Sequence, residues 1–150
     1  MSKRRRAREN VLKSLYAIEL SGNPVDTVID DVVLQTEGDK DIVDFAIKLI
    51  KKSIDHRKEF DEIIKKKLLN WDIDRVALLD KILLRQSICE FLYFKDIPPK
   101  VTINEAVELA KKFSTKKSGQ FVNGLLDSIL KDLKKEGKIS KKGRGLRESN

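Results

Sequence analysis

The chain is poor in residues that break helices or build covalent and metal sites. It has 7 Gly and 3 Pro among 150 residues, which favours long helices over a turn-rich β protein. Its single cysteine, Cys89, excludes an internal disulfide and a thiolate zinc site, and its place on an apolar stripe predicts a core residue. No run of about 18 apolar residues occurs, so we expect no membrane partner. The basic N-terminus does not resemble a secretory signal, which predicts a cytoplasmic protein.

Groups that could perform catalysis are also scarce. The one histidine, His56, lies among charged residues on a predicted solvated helix end, so a general base or metal ligand is not expected there. Gly119 and Gly124 are too isolated to form a phosphate-binding glycine loop. The carboxylates are mostly interleaved with lysines, as on exposed helix faces. The sequence therefore predicts a non-enzyme without a metal site or cofactor.

Positive charge is concentrated at the two ends of the chain. Residues 1–9 carry five basic residues and one acidic residue, and residues 131–150 carry eight basic and three acidic residues. Residues 10–130 are nearly neutral, with 19 basic and 20 acidic residues. Basic ends of this kind usually serve a polyanion, either nucleic acid or an anionic membrane surface. The alternative is that they only increase solubility. We expect one folded domain over residues 1–133 and a basic, disordered tail over residues 134–150.

Apolar residues recur at helical spacing along most of the chain, and no segment shows sustained strand alternation. The pattern predicts a helix from Lys3 to Leu20, ended by Gly22 and Pro24, and a short valine-rich helix after it. Two more helices are expected from Asp39 to about Arg57 and from Phe60 to near Trp71.

The second half of the sequence predicts three further helices. The most apolar one, around residues 78–92, belongs at the centre of the bundle, with Asp72 or Asp74 as its N-cap. Thr102 and Glu105 have the spacing of a capping box for the next helix, and Ser118 is a candidate cap for the last. The predicted fold class is all-α, a bundle of six to seven helices.

Three stretches resemble the NusB transcription-antitermination family, in order and spacing, from about residue 3 to residue 133. The first is the arginine cluster of residues 4–9 with Leu15 and Tyr16 behind it. The second runs from Trp71 to Glu90 and includes Arg75, Asp80 and residues 82–85. The third and most specific comprises residues 100–113 and 121–127.

The resemblance implies an all-α fold of two packed helical subdomains without enzymatic activity. It further implies pairing with the small-subunit ribosomal protein NusE on the boxA segment of leader and ribosomal RNA transcripts. That complex would join RNA polymerase with other Nus factors and prevent early termination. Because some relatives self-associate through the RNA-facing surface, both a monomer and a homodimer stay open.

The resemblance also implies site residues. Four arginines match the family's RNA-binding start, and Phe121 matches an aromatic at the RNA-facing start of the last helix, although its stripe with Leu125 leaves core packing open. The expected partner-protein surface contains Tyr16, Leu20 and Asp80. The expected RNA-binding residues are Lys3, Arg4, Arg5, Arg6, Arg8, Lys116, Lys117, Gln120, Phe121 and Asn123.

The chemistry of these residues suits RNA. Arginine binds phosphate bidentately and stacks on unpaired bases. Helical spacing places the arginines of the cluster on different sides of the helix start. Lys116 and Lys117 stand where family members often carry acidic residues, which predicts tighter RNA binding without the partner. Asn123 and Gly124 are poor helix residues, so we expect a hydrogen-bonding role for the first and a close helix contact at the second.

Two more buried roles are predicted outside the RNA-binding set. Arg85 is expected to form an internal ion pair with Glu90 or Asp80, and Trp71 to fill the join between the subdomains.

Three other functions deserve comparison with RNA-dependent antitermination. NusB-like domains also precede ribosomal RNA methyltransferase domains, but 150 residues leave no room for a second, cofactor-binding domain. A helical protein-interaction module with incidental basic ends would show only weak RNA attraction that salt removes. DNA binding is disfavoured because no short helix-turn-helix pair with a basic recognition helix stands out.

Overall fold

The computed structural model describes residues 2–69 and 72–148 and divides into two compact units, Met1–Asp55 and His56–Asn150. Within those described ranges it has seven α-helices and no β-strand, which confirms the predicted all-α class. None of the helices there is long and apolar enough to cross a membrane. Trp71, predicted to fill the join between subdomains, lies outside the described residues.

The first unit contains three α-helices: α1 (Lys3–Ser21), α2 (Val25–Ile29) and α3 (Lys40–Asp55). The valine-rich segment continues from α2 into a π-helical turn, Asp30–Leu34. The predicted end of α1 is confirmed, since Gly22 adopts the left-handed conformation (φ 69°) and its N–H bonds the carbonyl of Ile18. The helices α1 and α3 pack on each other through apolar stripes whose fully buried members include Ala7, Val11, Leu12, Ile42, Ala46, Leu49 and Ile50.

The second unit contains α4 (Arg57–Lys67), α5 (Leu78–Tyr93), α6 (Pro99–Phe113) and α7 (Lys116–Lys135). Every residue from Ile82 to Phe91 is buried, so α5 is the central helix of this unit, as its all-round apolar sequence predicts. It contacts α4, α6 and α7, and α6 and α7 pack closely together. Cys89 is fully buried in α5, which confirms its predicted place in the core.

The predicted helix caps of the second unit are wrong. The Asp72 carboxylate accepts from the Asp74 N–H and caps a 3-10 turn, Ile73–Arg75, while α5 begins after Ala77. Helix α6 begins at Pro99, because proline suits the first helical turn. Thr102 therefore lies inside α6, where its buried hydroxyl donates to Glu90 at 2.8 Å. Helix α7 is capped by Thr115, whose hydroxyl accepts from the Ser118 N–H at 3.0 Å.

Arg85 forms the predicted internal ion pair, but with a different partner. Its guanidinium binds Asp61 on α4, with Nε 2.7 Å from Oδ1. The two carboxylates that sequence proximity favoured have other partners, since Asp80 accepts from Ser118 and Glu90 accepts from Thr102. The partner of Arg85 therefore lies on the neighbouring helix, although carboxylates of its own helix are closer in sequence.

The close contact predicted at Gly124 occurs instead at Gly119. A Cβ on Gly124 would meet nothing within 4 Å, and Gly124 lies on the exposed face of α7. A Cβ on Gly119 would lie 3.1 Å from Lys111 Cγ and 3.6 Å from Val107 Cγ1, both on α6. The missing side chain at Gly119 therefore lets the start of α7 approach α6.

The basic segment after α7 differs from the disordered tail expected over residues 134–150. Helix α7 continues to Lys135, and a 3-10 helix, Gly143–Glu148, follows. Lys141 is only 5% exposed, and its ammonium donates to the carbonyls of Glu90 at 3.0 Å and Phe94 at 2.9 Å. These carbonyls belong to the end of α5, where helical partners run out, so the lysine caps that end.

Candidate nucleic-acid interface

The predicted basic cluster forms the first turns of α1. The Ser2 hydroxyl caps the helix by accepting from the Arg5 N–H at 3.2 Å, and no acidic residue lies in the first turn. Lys3, Arg4 and Arg6 are exposed, and Arg5 is half-buried. Cations at a helix N-terminus oppose the helix dipole, so this end of α1 is a concentrated positive surface that a polyanion would stabilise.

Arg8 stands apart from the other arginines because it is only 3% exposed. Its guanidinium lies over the Phe45 ring of α3 at 5.5 Å, and that of Arg4 lies over the same ring at 4.6 Å. Both distances suit cation–π attraction. Arg8 therefore packs within the first unit, and its contact with RNA stays a prediction.

Three carboxylates, Glu37, Asp39 and Asp41, stand beside the basic cluster, and we call them the acidic turn. Nη2 of Arg6 donates to both oxygens of Glu37 at 2.6 Å. The Lys3 ammonium lies 3.2 Å from Asp39 and 3.5 Å from Asp41. Its hydrogen bond to Asp39, with the charge of that carboxylate, raises the pKa of Lys3. The same hydrogen bond lowers the pKa of Asp39.

A polar cleft of about 510 Å³ continues from Arg6 along α1. The residues that line it are Arg6, Glu9, Asn10, Lys13, Asp31, Val32, Thr36 and Glu37. It holds charges of both signs, so it is a mixed surface and not a uniform phosphate track.

The start of α7 carries the remaining residues predicted to bind RNA. Lys116, Lys117, Gln120 and Asn123 are exposed, and Phe121 is 37% exposed. The buried face of α7 is formed by others, including Val122, Leu126 and Ile129, so Phe121 is not a core residue. On a helix, positions three and four apart share a face, which aligns Lys117 with Gln120 and Phe121.

Of the predicted partner-binding residues, two are exposed and one is buried. Tyr16 is 39% exposed and Leu20 is 63% exposed, and their spacing puts them one turn apart on α1. Asp80 is 8% exposed and accepts a hydrogen bond from the Ser118 hydroxyl at the start of α7. Burial raises the pKa of Asp80, although the Ser118 hydrogen bond lowers it.

Asp80 and Phe121 border one cavity of about 320 Å³ in the second unit. Its other lining residues are Leu68, Arg75, Val76 and Ala77. The structure thus gathers the predicted residues in two sets. Lys3, the arginines, Tyr16 and Leu20 belong to the first unit, and Asp80 with the α7 residues belongs to the second.

Sequence reasoning missed Phe45 and the acidic turn. Phe45 looked like one more apolar residue on α3, and the only hint of the turn was the density of acids after Thr36. It also misplaced His56, which is half-buried and stacks on Tyr93 with ring centroids 4.3 Å apart. Burial, followed by the hydrogen bond to Glu59, raises the pKa of Tyr93 to about 12. The described residues hold no group of three His, Cys, Asp or Glu side chains placed to bind a metal.

The family to which this sequence belongs follows from a comparison with models of known protein families. The model described as the NusB family matches residues 5–131. The chain belongs to the NusB family. This confirms the resemblance first seen in the arginine cluster and in residues 100–113 and 121–127.

Curated relatives in the NusB family match nearly end to end. A Salinibacter ruber protein named Transcription antitermination protein NusB is 44% identical over 147 residues, which cover 97% of this chain and 92% of the relative. A Thermodesulfovibrio yellowstonii protein of the same name is 47% identical over 141 residues, covering 87% of this chain and 93% of that one.

Solved NusB structures share the fold. NusB from T. maritima superposes with a TM-score of 0.80 at 35% identity, covering 86% of this chain and 91% of that one. A crystal structure of the antitermination factors NusB and NusE in complex with dsRNA gives a TM-score of 0.80 at 32% identity, covering 88% and 98%.

Proposed function

We propose that this chain is an RNA-binding transcription antitermination factor that acts with NusE on boxA-type single-stranded RNA. Family membership supports the class of function, since the close relatives carry the name of antitermination proteins. The related complex that contains NusB, NusE and dsRNA supports NusE and, as a class of ligand, RNA as partners. The observation that carries the proposal is the exposed basic start of α1, with Lys3, Arg4 and Arg6 at the surface.

The proposal assigns RNA-binding residues to each of the two units separately. Lys3, Arg4, Arg5 and Arg6 bind phosphates from the first turns of α1, while Arg8 holds Phe45 and contributes indirectly. On α7, the Phe121 ring stacks on an unpaired base, for which the 37% exposure of this residue leaves it accessible. Lys116, Lys117, Gln120 and Asn123 are exposed on the same first turns of α7 and supply phosphate contacts and hydrogen bonds.

The NusE-binding surface of the proposal centres on Tyr16 and Leu20. These are large apolar side chains exposed one turn apart on α1, and such anchors suit a protein partner. Asp80 acts through Ser118, which it holds at the start of α7. Other Nus factors and RNA polymerase are indirect partners, and a homodimer, if one forms, would be a storage or inhibited form.

The test is a titration of the protein into labelled boxA-like RNA, a scrambled single strand and a duplex of the boxA sequence. Each titration is made with and without NusE at several salt concentrations. The log–log salt slope is about −0.7 per phosphate neutralised on a single strand. The double variant Arg4→Gln/Arg6→Gln should therefore bind more weakly and flatten the slope by about 1.4. Lys58→Gln/Lys66→Gln removes the same charge from exposed positions of α4 and is the matched control.

Selective boxA binding that NusE tightens and the arginine variant weakens is the expected result. Equal, weak binding of all three RNAs without a NusE effect would refute the proposal. It would instead favour a helical protein-interaction module, for which Tyr16 and Leu20 already offer an exposed apolar anchor.

A further inference from the structure

The acidic turn faces the basic residues that would otherwise be the first to meet a phosphate. Glu37 accepts twice from Nη2 of Arg6, and its side chain is 7% exposed while that of Arg6 is 48% exposed. Asp39 and Asp41 both approach the Lys3 ammonium. Two of the exposed cations therefore already have carboxylate partners from a segment more than thirty residues away.

The position of the acidic turn is fixed by the backbone that it caps. Asp39 Oδ1 accepts from the Asp41 N–H at 2.9 Å and from the Ile42 N–H at 3.4 Å, as an N-cap of α3 does. The Glu37 carboxylate also accepts from the Asp39 N–H at 3.3 Å. The packing of α1 on α3 then sets these carboxylates against α1. The carboxylates of Glu37 and Asp39 are thus held in place and are not free to swing away at little cost.

We infer that the acidic turn is a built-in competitor of RNA phosphate at Lys3 and Arg6, and that it sets the affinity of the basic cluster. The inference rests on the proposed function, since it concerns the same surface. A phosphate that binds Arg6 or Lys3 replaces a carboxylate of the turn as the partner of that cation. The replacement lowers the affinity for every RNA backbone and leaves stable binding to depend on base contacts and the protein partner.

Charge removal with retained shape gives the sharpest variants. Glu37→Gln keeps the size and one acceptor, and Asp39→Asn keeps a side chain that caps helices as well as aspartate does. The control is Asp55→Asn, an equal change of charge at an exposed site at the far end of α3. The helical rise puts Asp55 about 21 Å along α3 from Asp41. Circular dichroism and thermal unfolding verify that all variants fold alike.

The readout is the dissociation constant for boxA-like RNA, for scrambled RNA and for an oligouridine strand. An exposed ion pair contributes roughly 1.5- to 5-fold to an equilibrium constant, so each variant should bind roughly 1.5- to 5-fold tighter than wild type. The factor should be the same for all three RNAs, because the competition is for phosphates and not for bases. The salt dependence should become steeper in the variants. When RNA binds the wild type, the released carboxylates take up cations from solution, and this uptake offsets part of the cation release from the RNA.

The possible results separate this inference from the proposed function. Unchanged or weaker RNA binding by Glu37→Gln and Asp39→Asn would overturn the inference. Weaker binding would mean that the acidic turn positions Lys3 and Arg6 for RNA and does not compete with it. A gain confined to boxA RNA, or one equalled by Asp55→Asn, would overturn it as well. If wild type fails to prefer boxA, the proposed function fails. The competitor still stands in that case if the variants bind oligouridine more tightly.

Discussion

The Arg85 guanidinium donates two hydrogen bonds to the Asp61 carboxylate and so ties α5 to α4. Nε lies 2.7 Å from Oδ1, and Nη2 lies 3.2 Å from Oδ2. Arg85 is 6% exposed, so a lost partner would leave a buried cation. Removing one member of a buried pair costs about 3–5 kcal/mol, and the partial exposure of Asp61 reduces that figure. We expect Asp61→Ala to lower the free energy of unfolding in urea by about 2 kcal/mol.

Glu62→Ala provides the comparison for Asp61→Ala on the same helix. Glu62 is exposed and pairs with Lys65 at 3.5 Å, so its loss should cost less than about 0.5 kcal/mol. Equal losses for the two variants would show that the Arg85 pair contributes no more than a surface pair.

Arg8 and Arg6 should separate stability from RNA binding. Arg8 is buried against Phe45, whereas Arg6 is exposed beside the acidic turn. Arg8→Met should lower the free energy of unfolding by about 1–3 kcal/mol, because it removes a buried charge that has partners. Arg6→Met should cost no more than about 1 kcal/mol, because the Glu37 carboxylate keeps its hydrogen bond from the Asp39 N–H, and it should weaken RNA binding. Urea unfolding and RNA titration of both variants test this. A stable Arg8→Met protein that has lost RNA binding would return Arg8 to the interface.

Lys117 should affect RNA binding and helix stability in opposite directions. It is exposed in the first turn of α7, where a cation opposes the helix dipole and an anion is favoured. Lys117→Asp should therefore stabilise the protein by about 0.3–1 kcal/mol. It should also weaken RNA binding and flatten its salt slope by about 0.7, since one phosphate contact is lost.

The matched control for Lys117→Asp is Lys131→Asp, on the exposed C-terminal half of α7. It should leave RNA binding unchanged. If Lys117→Asp changes neither affinity nor salt slope, the start of α7 does not border the RNA path.

The helices were predictable because each is an apolar stripe repeated over several turns. The stripe beginning at Val11 and the all-round apolar run from Ile82 need no partner to be recognised as helical. Caps were not predictable from local pattern alone. Thr102 and Glu105 have capping-box spacing, yet Pro99 starts α6 a turn earlier, and the buried Glu90 takes the Thr102 hydroxyl. A buried carboxylate on another helix outweighed a local hydrogen bond.

The candidate site was likewise predictable from the sequence only in part. Exposed cations near a chain end could be read from the sequence, as Lys3, Arg4 and Arg6 show. Their partners could not, because Glu37 and Asp39 reach α1 only after α3 packs on it. The burial of Arg8 depends on Phe45 in the same way. Identical residue types in one cluster thus acquired different roles from tertiary contacts.

Lys141 makes stability depend on pH in a direction opposite to that of an ordinary ion-paired lysine. Burial lowers its pKa from 10.5 to about 8 in the folded protein. Between these values the unfolded chain binds more protons than the folded one, so the free energy of unfolding rises with pH. The neutral amine keeps two N–H groups, enough to donate to the carbonyls of Glu90 and Phe94.

The measurement is urea unfolding of wild type and Lys141→Met at pH 7, 8, 9 and 10. Wild type should gain stability relative to the variant as pH rises from 8 to 10, with little change below 8. Lys142→Met, at the exposed neighbouring position, should show no such trend and corrects for other titrating groups. If the difference in unfolding free energy between wild type and Lys141→Met falls as pH rises, the charged form of Lys141 is the one that stabilises the fold, as for an ion-paired surface cation. A rising difference requires that it be held by burial and by its two backbone carbonyls.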